Sequence, residues 1–338
     1  MRAPTSDGRF RIALLGGVPP ALGGGGLELQ MERTAAALRR RGHQVDHAER
    51  LEEGDTFDVL HAFGSEANVW FDVHHWRRSQ APLVLSPVIV TSPGRVERRL
   101  ILGAAVPGLM TTARMKRELL VRADAVVCLT AYERDLAGRL GRRAGNVTVI
   151  GNGADPLAPE ALPEPPPELP DEPFALLLGA VSERKRQAEI LAAIGGRLPA
   201  VVVGGWAGRP ESRPAFEREL ERGGGVWLGE LADPALIQAI QRRALGQVLL
   251  STAETQSLAV LEALAVGLPV VVSDIPSHRD LNAKHPGLVR IVRDPVGAVE
   301  ALLALRGAPR PPPAPAPVPT WDDVAAELEK VYAGVRGT

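Results

Sequence analysis

Two carboxylates and a pair of cations stand where this sequence could do chemistry. Glu254 and Glu262 lie in the run Leu249–Ala265, LLSTAETQSLAVLEALA. A strand is expected to end near Ser251, followed by a short polar loop and a helix from about Ser257. The backbone amides of Gln256, Ser257 and Leu258 would then be unpaired at a helix start, which suits an anion such as a diphosphate. Glu254, in the loop, could reach ligand hydroxyls. Glu262 has Leu258 at i−4, Ala265 at i+3 and Val266 at i+4, so its carboxylate is expected to project from the inward stripe. A buried carboxylate needs hydrogen-bond donors. A ribose diol would supply two; a local arginine or a backbone amide is the plainer alternative.

The second piece is Leu178–Gln187, LGAVSERKRQ. A strand end leads to Ser182 as a helix N-cap, with Arg184 and Lys185 in the expected first turn. Cations there oppose the helix dipole, and a diphosphate nearby would reverse that sign. A solvated surface pair explains the same residues without a ligand. The third piece, Gly23–Gly26, places four glycines before a helix and allows close backbone approach. It lacks the spacing of a dinucleotide fingerprint, and a loop without a ligand fits equally.

Positioning these residues takes two domains, which a length of 338 residues also suggests. In the first half, short apolar strands (Arg11–Leu15, Phe57–Ala62, Pro82–Leu85, Ala125–Leu129, Val147–Ile150) alternate with helices near 27–41, 95–106, 112–121 and 131–140. Thr130 and Glu133 form a capping box before the last of these. Asp155–Pro173 then carries eight prolines and reads as a linker. A second alternation follows, with strands at Phe174–Leu178, Ala200–Val203, Val226–Leu228, Val248–Leu250 and Pro269–Val272. Its helices are expected near 183–194, 234–244, 258–266 and 296–305. Continuous apolar strands between helices predict parallel sheets covered on both faces, an α/β class with two doubly wound halves. The expected boundaries are 1–158, a linker at 159–173, 174–307, a Pro-rich spacer at 308–319 and a terminal helix within 320–338. In such sheets ligands bind beyond the carboxyl ends of the strands, so a cleft between two facing halves is the expected site.

Composition narrows the partners. Basic and acidic side chains number 39 and 40, so no global positive field points to nucleic acid. Arg95, Arg98, Arg99, Arg114, Lys116, Arg117 and Arg122 could form a local basic face for an anionic acceptor or lipid headgroups; a solvated helix surface is the alternative. The single cysteine, Cys128, lies in an apolar run and is expected to be buried; with no disulfide, a cytoplasmic protein is expected. No stretch is long and apolar enough for a membrane span, although peripheral contact remains open.

At this point the chain resembles the retaining nucleotide-sugar glycosyltransferases of the GT-B fold, the family-four group, over nearly its whole length. The resemblance rests on Glu254 and Glu262 separated by seven residues, running into E-A-L-A-V-G-L-P-V-V-V-S-D at Glu262–Asp274. It rests further on V-I-G-N-G-A-D at Val149–Asp155, G-G-x-E at Gly25–Glu28 and G-H-x-V at Gly42–Val45. The terminal helix, with Trp321 and Tyr332, is similar to the family's last helix, which crosses back to the N-terminal domain. The resemblance implies a nucleotide-diphosphate sugar as donor, an unidentified acceptor (glycan, lipid-linked or small molecule), and neither cofactor nor metal. It implies that Glu262 holds the ribose hydroxyls, Glu254 contacts the donor sugar and Lys185 neutralises the diphosphate. Amides near Ser257 and Leu258 would help, Gly25 and Gly26 would approach the phosphates, and Gly229–Leu231 would lie near the base.

Two positions depart from the family pattern. Ala180 stands where an arginine often follows Gly179, with Arg184 as a possible substitute. Ser86-Pro87 stands where many members carry a histidine; His61 is a further candidate for the cleft, with a structural hydrogen bond as the alternative. These departures motivate a second reading, a non-catalytic or partner-dependent sugar-nucleotide-binding relative. A nucleotide-sugar epimerase is the third.

Overall fold

The computed structural model describes residues 9–16, 25–48, 55–76, 81–90, 94–105, 109–141, 145–307 and 318–336. It divides into unit 1, Met1–Gly153 with Pro319–Thr338, and unit 2, Ala154–Val318.

Unit 1 runs β1 (Arg11–Gly16), α1 (Gly26–Arg40), β2 (Gln44–His47), β3 (Val59–Phe63), α2 (Ala67–Trp76), β4 (Leu83–Ser86), α3 (Arg95–Ala105), α4 (Thr112–Arg122), β5 (Ala125–Cys128), α5 (Ala131–Arg139) and β6 (Val147–Val149). Its six strands are parallel in the order β2-β1-β3-β4-β5-β6. The strands β3, β4 and β5 are buried throughout, as expected for strands covered on both faces. Cys128 is fully buried in β5. Thr130 caps α5 through the Glu133 amide, but the Glu133 carboxylate accepts from the amides of Leu129 and Ile89, both at 2.7 Å. Burial pushes that carboxyl up to about 7, against the pull of both amides.

Unit 2 runs β7 (Ala175–Leu178), α6 (Gln187–Ile194), β8 (Ala200–Val203), α7 (Arg213–Arg222), β9 (Val226–Trp227), α8 (Pro234–Arg243), β10 (Gly246–Leu249), α9 (Leu258–Ala265), β11 (Val270–Ser273), α10 (Pro276–Lys284), β12 (Val289–Val292) and α11 (Pro295–Leu303). Its parallel strands lie in the order β12-β11-β10-β7-β8-β9. Alternate side chains feed two cores, because successive residues of a strand point to opposite faces. Leu176, Leu178, Val201 and Val203 join one; Ala175, Leu177, Ala200 and Val202 join the other.

The last helix, α12 (Trp321–Arg336), belongs to unit 1 and packs on α1. Tyr332 is fully buried there, and Arg41 donates to Glu329 at 2.7 and 2.9 Å and to Asp322 at 3.0 Å. His43 accepts from the Phe10 amide through Nδ1, so its Nε2 carries the proton shared with Glu329 at 2.7 Å. This is the packing role expected of a buried histidine at 8% exposure. Gly153 is required where α12 begins: a Cβ there would come within 2.6 Å of the Trp321 amide nitrogen.

The Pro-rich segment after 153 departs from the expected linker. Ala154 and Leu169 are buried in the unit 2 core. Gln238 on α8 donates to the Asp155 carbonyl at 2.9 Å and accepts from the Leu157 amide at 2.8 Å. Arg242 and Arg243 donate to the carbonyls of Leu157 and Pro170. Prolines remove amide donors but leave every carbonyl free to accept, so an extended proline-rich strand can be strapped down by side chains. The boundary therefore falls at 153 rather than 158. The second spacer, 308–319, lies almost entirely outside the described residues.

Candidate active site

In order of appearance the strands of unit 2 are β7, β8, β9, β10, β11 and β12, so the sheet has the doubly wound order 3-2-1-4-5-6. Its direction of winding reverses between β7 and β10, and ligands of such sheets bind beyond the carboxyl ends at that reversal. Both charged segments singled out from the sequence leave the sheet there. Lys185 follows β7 and Glu254 follows β10.

The segment after β7 folds differently from the expectation. Arg184 and Lys185 do not occupy the first turn of α6. Residues Ser182–Arg186 make a separate turn closed by the amides of Lys185 and Arg186 on the Ser182 carbonyl, at 3.0 and 3.1 Å. Arg186 then takes a left-handed conformation (φ 60°), and α6 begins at Gln187. Gln187 holds the turn by donating to the Gly179 and Ala180 carbonyls and accepting from the Ser182 amide. This turn carries Lys185 back over the strand end. Its Nζ lies where the Cβ of any residue but glycine at 179 would sit, and Gly179 itself has φ +121°. Burial pushes the Lys185 ammonium below the ordinary lysine value; Glu254 opposes that shift and Arg184 adds to it.

Across the reversal, Arg184 Nη1 donates to Glu254 Oε1 at 2.7 Å and to the Ala253 carbonyl at 2.8 Å. The Thr252 amide donates back to the Arg184 carbonyl at 2.9 Å. Ser251 Oγ adds a 2.8 Å bond to the same Glu254 oxygen. Glu254 thus bridges the two loops, with 13% of its side chain exposed against 44% for Arg184.

Behind this pair lies a polar layer that the sequence reading missed. Ser273 Oγ donates to the Ser251 carbonyl at 2.6 Å, and Ser277 Oγ to the Glu254 carbonyl at 3.1 Å. His278 Nδ1 donates to the Ser273 carbonyl at 2.9 Å, which fixes its tautomer and leaves Nε2 as an acceptor. Burial lowers its pKa, against the pull of the Ser273 carbonyl and Glu254, and so favours the neutral ring. The available signal was S-D-I-P-S-H at Ser273–His278, a polar cluster directly after an apolar strand. Two buried polar atoms here, Thr255 Oγ1 and His278 Nε2, have no protein partner among the described residues.

The helix start expected near Ser257 is present. Ser257 is the N-cap of α9 and its side chain makes no capping bond, so the first amides beyond it lack the usual side-chain acceptor. Ser257 and Leu258 are buried and Gln256 is half-buried. Glu262 lies on α9 but at the border of its inward stripe: Leu258, Leu261 and Ala263 are buried, Glu262 is half-buried. Gly229 (φ +70°) and the half-buried Leu231 follow β9, and the Gly229 carbonyl accepts from the Gly204 amide at 2.6 Å. Gly25 and Gly26 belong to unit 1, at the start of α1, where the Gly25 amide donates to Glu28 at 2.7 Å. Gly23 and Gly24 lie outside the described residues.

His61 does not reach a site. It is fully buried in β3, with Nδ1 hydrogen-bonded to Tyr332 Oη at 2.7 Å and Nε2 to Ser86 Oγ at 2.9 Å. Burial pushes it down to about 3. Ser86, one of the two residues noted as departing from the family pattern, is used inward to hold this ring. His61→Gln is therefore expected to destabilise the fold by about 1–3 kcal/mol at neutral pH and to leave turnover unchanged. The folded state keeps His61 neutral while the unfolded state takes up a proton below about 6.5. The stability advantage of the natural chain over the variant should then shrink as pH falls below that value, by about 1.4 kcal/mol per unit, and reverse before pH 3 is reached. Paired urea titrations across that range check the sign.

The close fit of Lys185 on Gly179 gives a second expectation. Gly179→Ala removes no charge, yet it must displace the ammonium and strain a left-handed backbone, at about 1–3 kcal/mol. Nucleoside-diphosphate affinity, measured by calorimetry, should fall at least about tenfold, which needs only about 1.4 kcal/mol.

Comparison with known proteins agrees with this architecture. Residues 47–153 match the model of the glycosyl transferase 4-like domain, and residues 172–307 match that of glycosyl transferases group 1. Among solved structures, HepE of Anabaena in complex with UDP-glucose is 16% identical, with 97% of this chain and 98% of that chain covered and a TM-score of 0.66. Sucrose-phosphate synthase from Thermosynechococcus elongatus is also 16% identical, with 97% and 100% covered and a TM-score of 0.71. A glycosyltransferase from Rickettsia africae is 12% identical, with 96% and 94% covered and a TM-score of 0.60. None of the curated protein sequences compared with the chain matches it. At such identities the structural likeness establishes the fold. The chain is a GT-B protein, and each of its two halves carries a glycosyltransferase-type domain.

Proposed function

We propose that the chain transfers a sugar from a nucleoside-diphosphate donor to an acceptor, with retained anomeric configuration and without a metal. The observation that carries the proposal is the Lys185–Arg184–Glu254 cluster at the winding reversal of unit 2, beside the uncapped start of α9. As the glycosidic bond to the donor breaks, negative charge grows on the diphosphate. A preorganised ammonium and helix-start amides stabilise that charge more than they stabilise the ground state, which is the requirement for catalysis. Glu254 is assigned to the donor sugar, Glu262 to the ribose hydroxyls and Gly229–Leu231 to the base. No protein nucleophile is assigned; the departing phosphate assists attack from its own face. The complex of HepE with UDP-glucose, a protein of the same fold, supports a donor of this class.

The test incubates the purified chain with UDP-, GDP-, ADP- and dTDP-sugars and follows nucleoside diphosphate release. One donor should be hydrolysed slowly without acceptor, and chelation by EDTA should leave the rate unchanged. Binding without release across a broad acceptor panel would instead identify a non-catalytic relative. Conversion of a donor to its epimer would identify an epimerase.

A further inference from the structure

The basic run expected from the sequence separates into two populations. Lys116 is buried, with its ammonium on the Ser65 carbonyl, Ser65 Oγ and Glu66. Arg114 pairs with Glu118, Arg122 contacts His74, and Arg117 reaches the Ala104 carbonyl. Arg95, Arg98 and Arg99 on α3 are different: all three are exposed, and no hydrogen bond or ion pair within the described residues engages their side chains. The one acid of α3, Glu97, is turned inward to Tyr132 and Arg139.

The same helix exposes apolar side chains among these arginines. Leu102 is 58% exposed and lies three and four residues beyond Arg99 and Arg98, so the three share one face. Leu109 and Met110, at 58% and 46%, follow in the connection to α4. Of the ten large hydrophobic side chains exposed among the described residues, six lie on α2, α3, α4 or that connection: Phe71, Val96, Leu102, Leu109, Met110 and Val121. These helices form one layer of unit 1, since α4 packs against both α2 and α3.

We infer that the outer face of α3, together with Leu109 and Met110 ahead of α4, docks on an anionic lipid bilayer. Three arginines whose side chains have no partner among the described residues, on a chain whose net charge is −1, make a local positive surface complementary to acidic headgroups. Arginine stems and the aliphatic side chains between them gain by entering the headgroup–acyl boundary, where charge stays wet and hydrocarbon leaves water. A soluble polyanion would use the charges and leave Leu102 and Leu109 in solvent. No helix among the described residues is long and apolar enough to cross a membrane, so the association is peripheral. The inference is independent of the donor site and is read without nucleotide.

Co-sedimentation of the full chain with vesicles tests it. The chain should pellet with phosphatidylcholine vesicles containing about 30% phosphatidylglycerol and be released by high salt, but should not pellet with phosphatidylcholine alone. Arg98→Gln/Arg99→Gln should weaken binding roughly 30-fold. Leu102→Asp, which keeps every arginine, should weaken it several-fold as well. All three positions are exposed, and circular dichroism verifies that the variants fold. Equal behaviour toward both vesicle types would overturn the inference. So would full retention of binding by Leu102→Asp, because the surface would then be reading charge alone, as on a soluble polyanion or an acidic protein.

Discussion

Lys185→Met is expected to lower turnover about 10²- to 10³-fold, the usual consequence of removing one preorganised group from a developing oxyanion. Methionine preserves most of the side chain's length and apolar stem, so the loss reports the charge. Because the lysine is held over Gly179 by the Ser182–Arg186 turn rather than extended into solvent, little reorganisation accompanies donor binding. Its depressed pKa adds a second signature. The ammonium is the active form, so activity of the natural enzyme should decline as pH rises through a value below the ordinary lysine 10.5. The variant should lose that alkaline limb along with the rate. The alkaline pH profile of kcat/KM, which reports the free enzyme, measures both; a variant with an unchanged limb would assign the titration elsewhere.

Glu254→Gln should separate function from stability. Its carboxylate accepts from Arg184 across the two loops and from Ser251 within its own. Arg184 is 44% exposed, so solvent screening limits the pair's contribution to folding to about 1 kcal/mol or less. The glutamine nearly matches the shape but removes the charge that fixes Arg184 beside Lys185. Turnover should fall about 100-fold, equivalent to about 2.7 kcal/mol of transition-state stabilisation. Thermal melting and kcat measured on one preparation check the contrast. A melting-point loss as large as the rate loss would make the residue a structural bridge.

Much of the scaffold was readable from residue order because a parallel strand covered on both faces is a continuous apolar run. AVVC, ALLL and AVVV announce themselves. α7, RPAFERELER, does not: only Phe216 and Leu220 are buried, too few for a clear stripe. α2 likewise buries only Val69 and Val73 among aromatic and histidine residues, and α10 and β12 follow a site loop with little periodicity. Glu254, Lys185 and the α9 start were legible because each follows a strand that is. The Ser182–Arg186 turn was not, since it ends on an arginine in a left-handed conformation that glycine would normally signal. A structural hydrogen bond was already one reading of His61, but its partner could not be named, because Tyr332 lies 271 residues away. The Pro-rich strap was misread for the opposite reason: composition reports missing donors and says nothing of carbonyls held by side chains such as Gln238.

The central claim is that the winding reversal of unit 2 holds a nucleoside diphosphate, with Glu262 on its ribose. Calorimetric titration of the natural chain and of Glu262→Ala with UDP, GDP, ADP and inorganic pyrophosphate tests it most directly. The account predicts that one nucleoside diphosphate binds the natural chain and that Glu262→Ala loses more than about tenfold of that affinity, while pyrophosphate binds both alike. Undiminished nucleotide affinity in the variant, or no binding of any nucleotide to the natural chain, would contradict it.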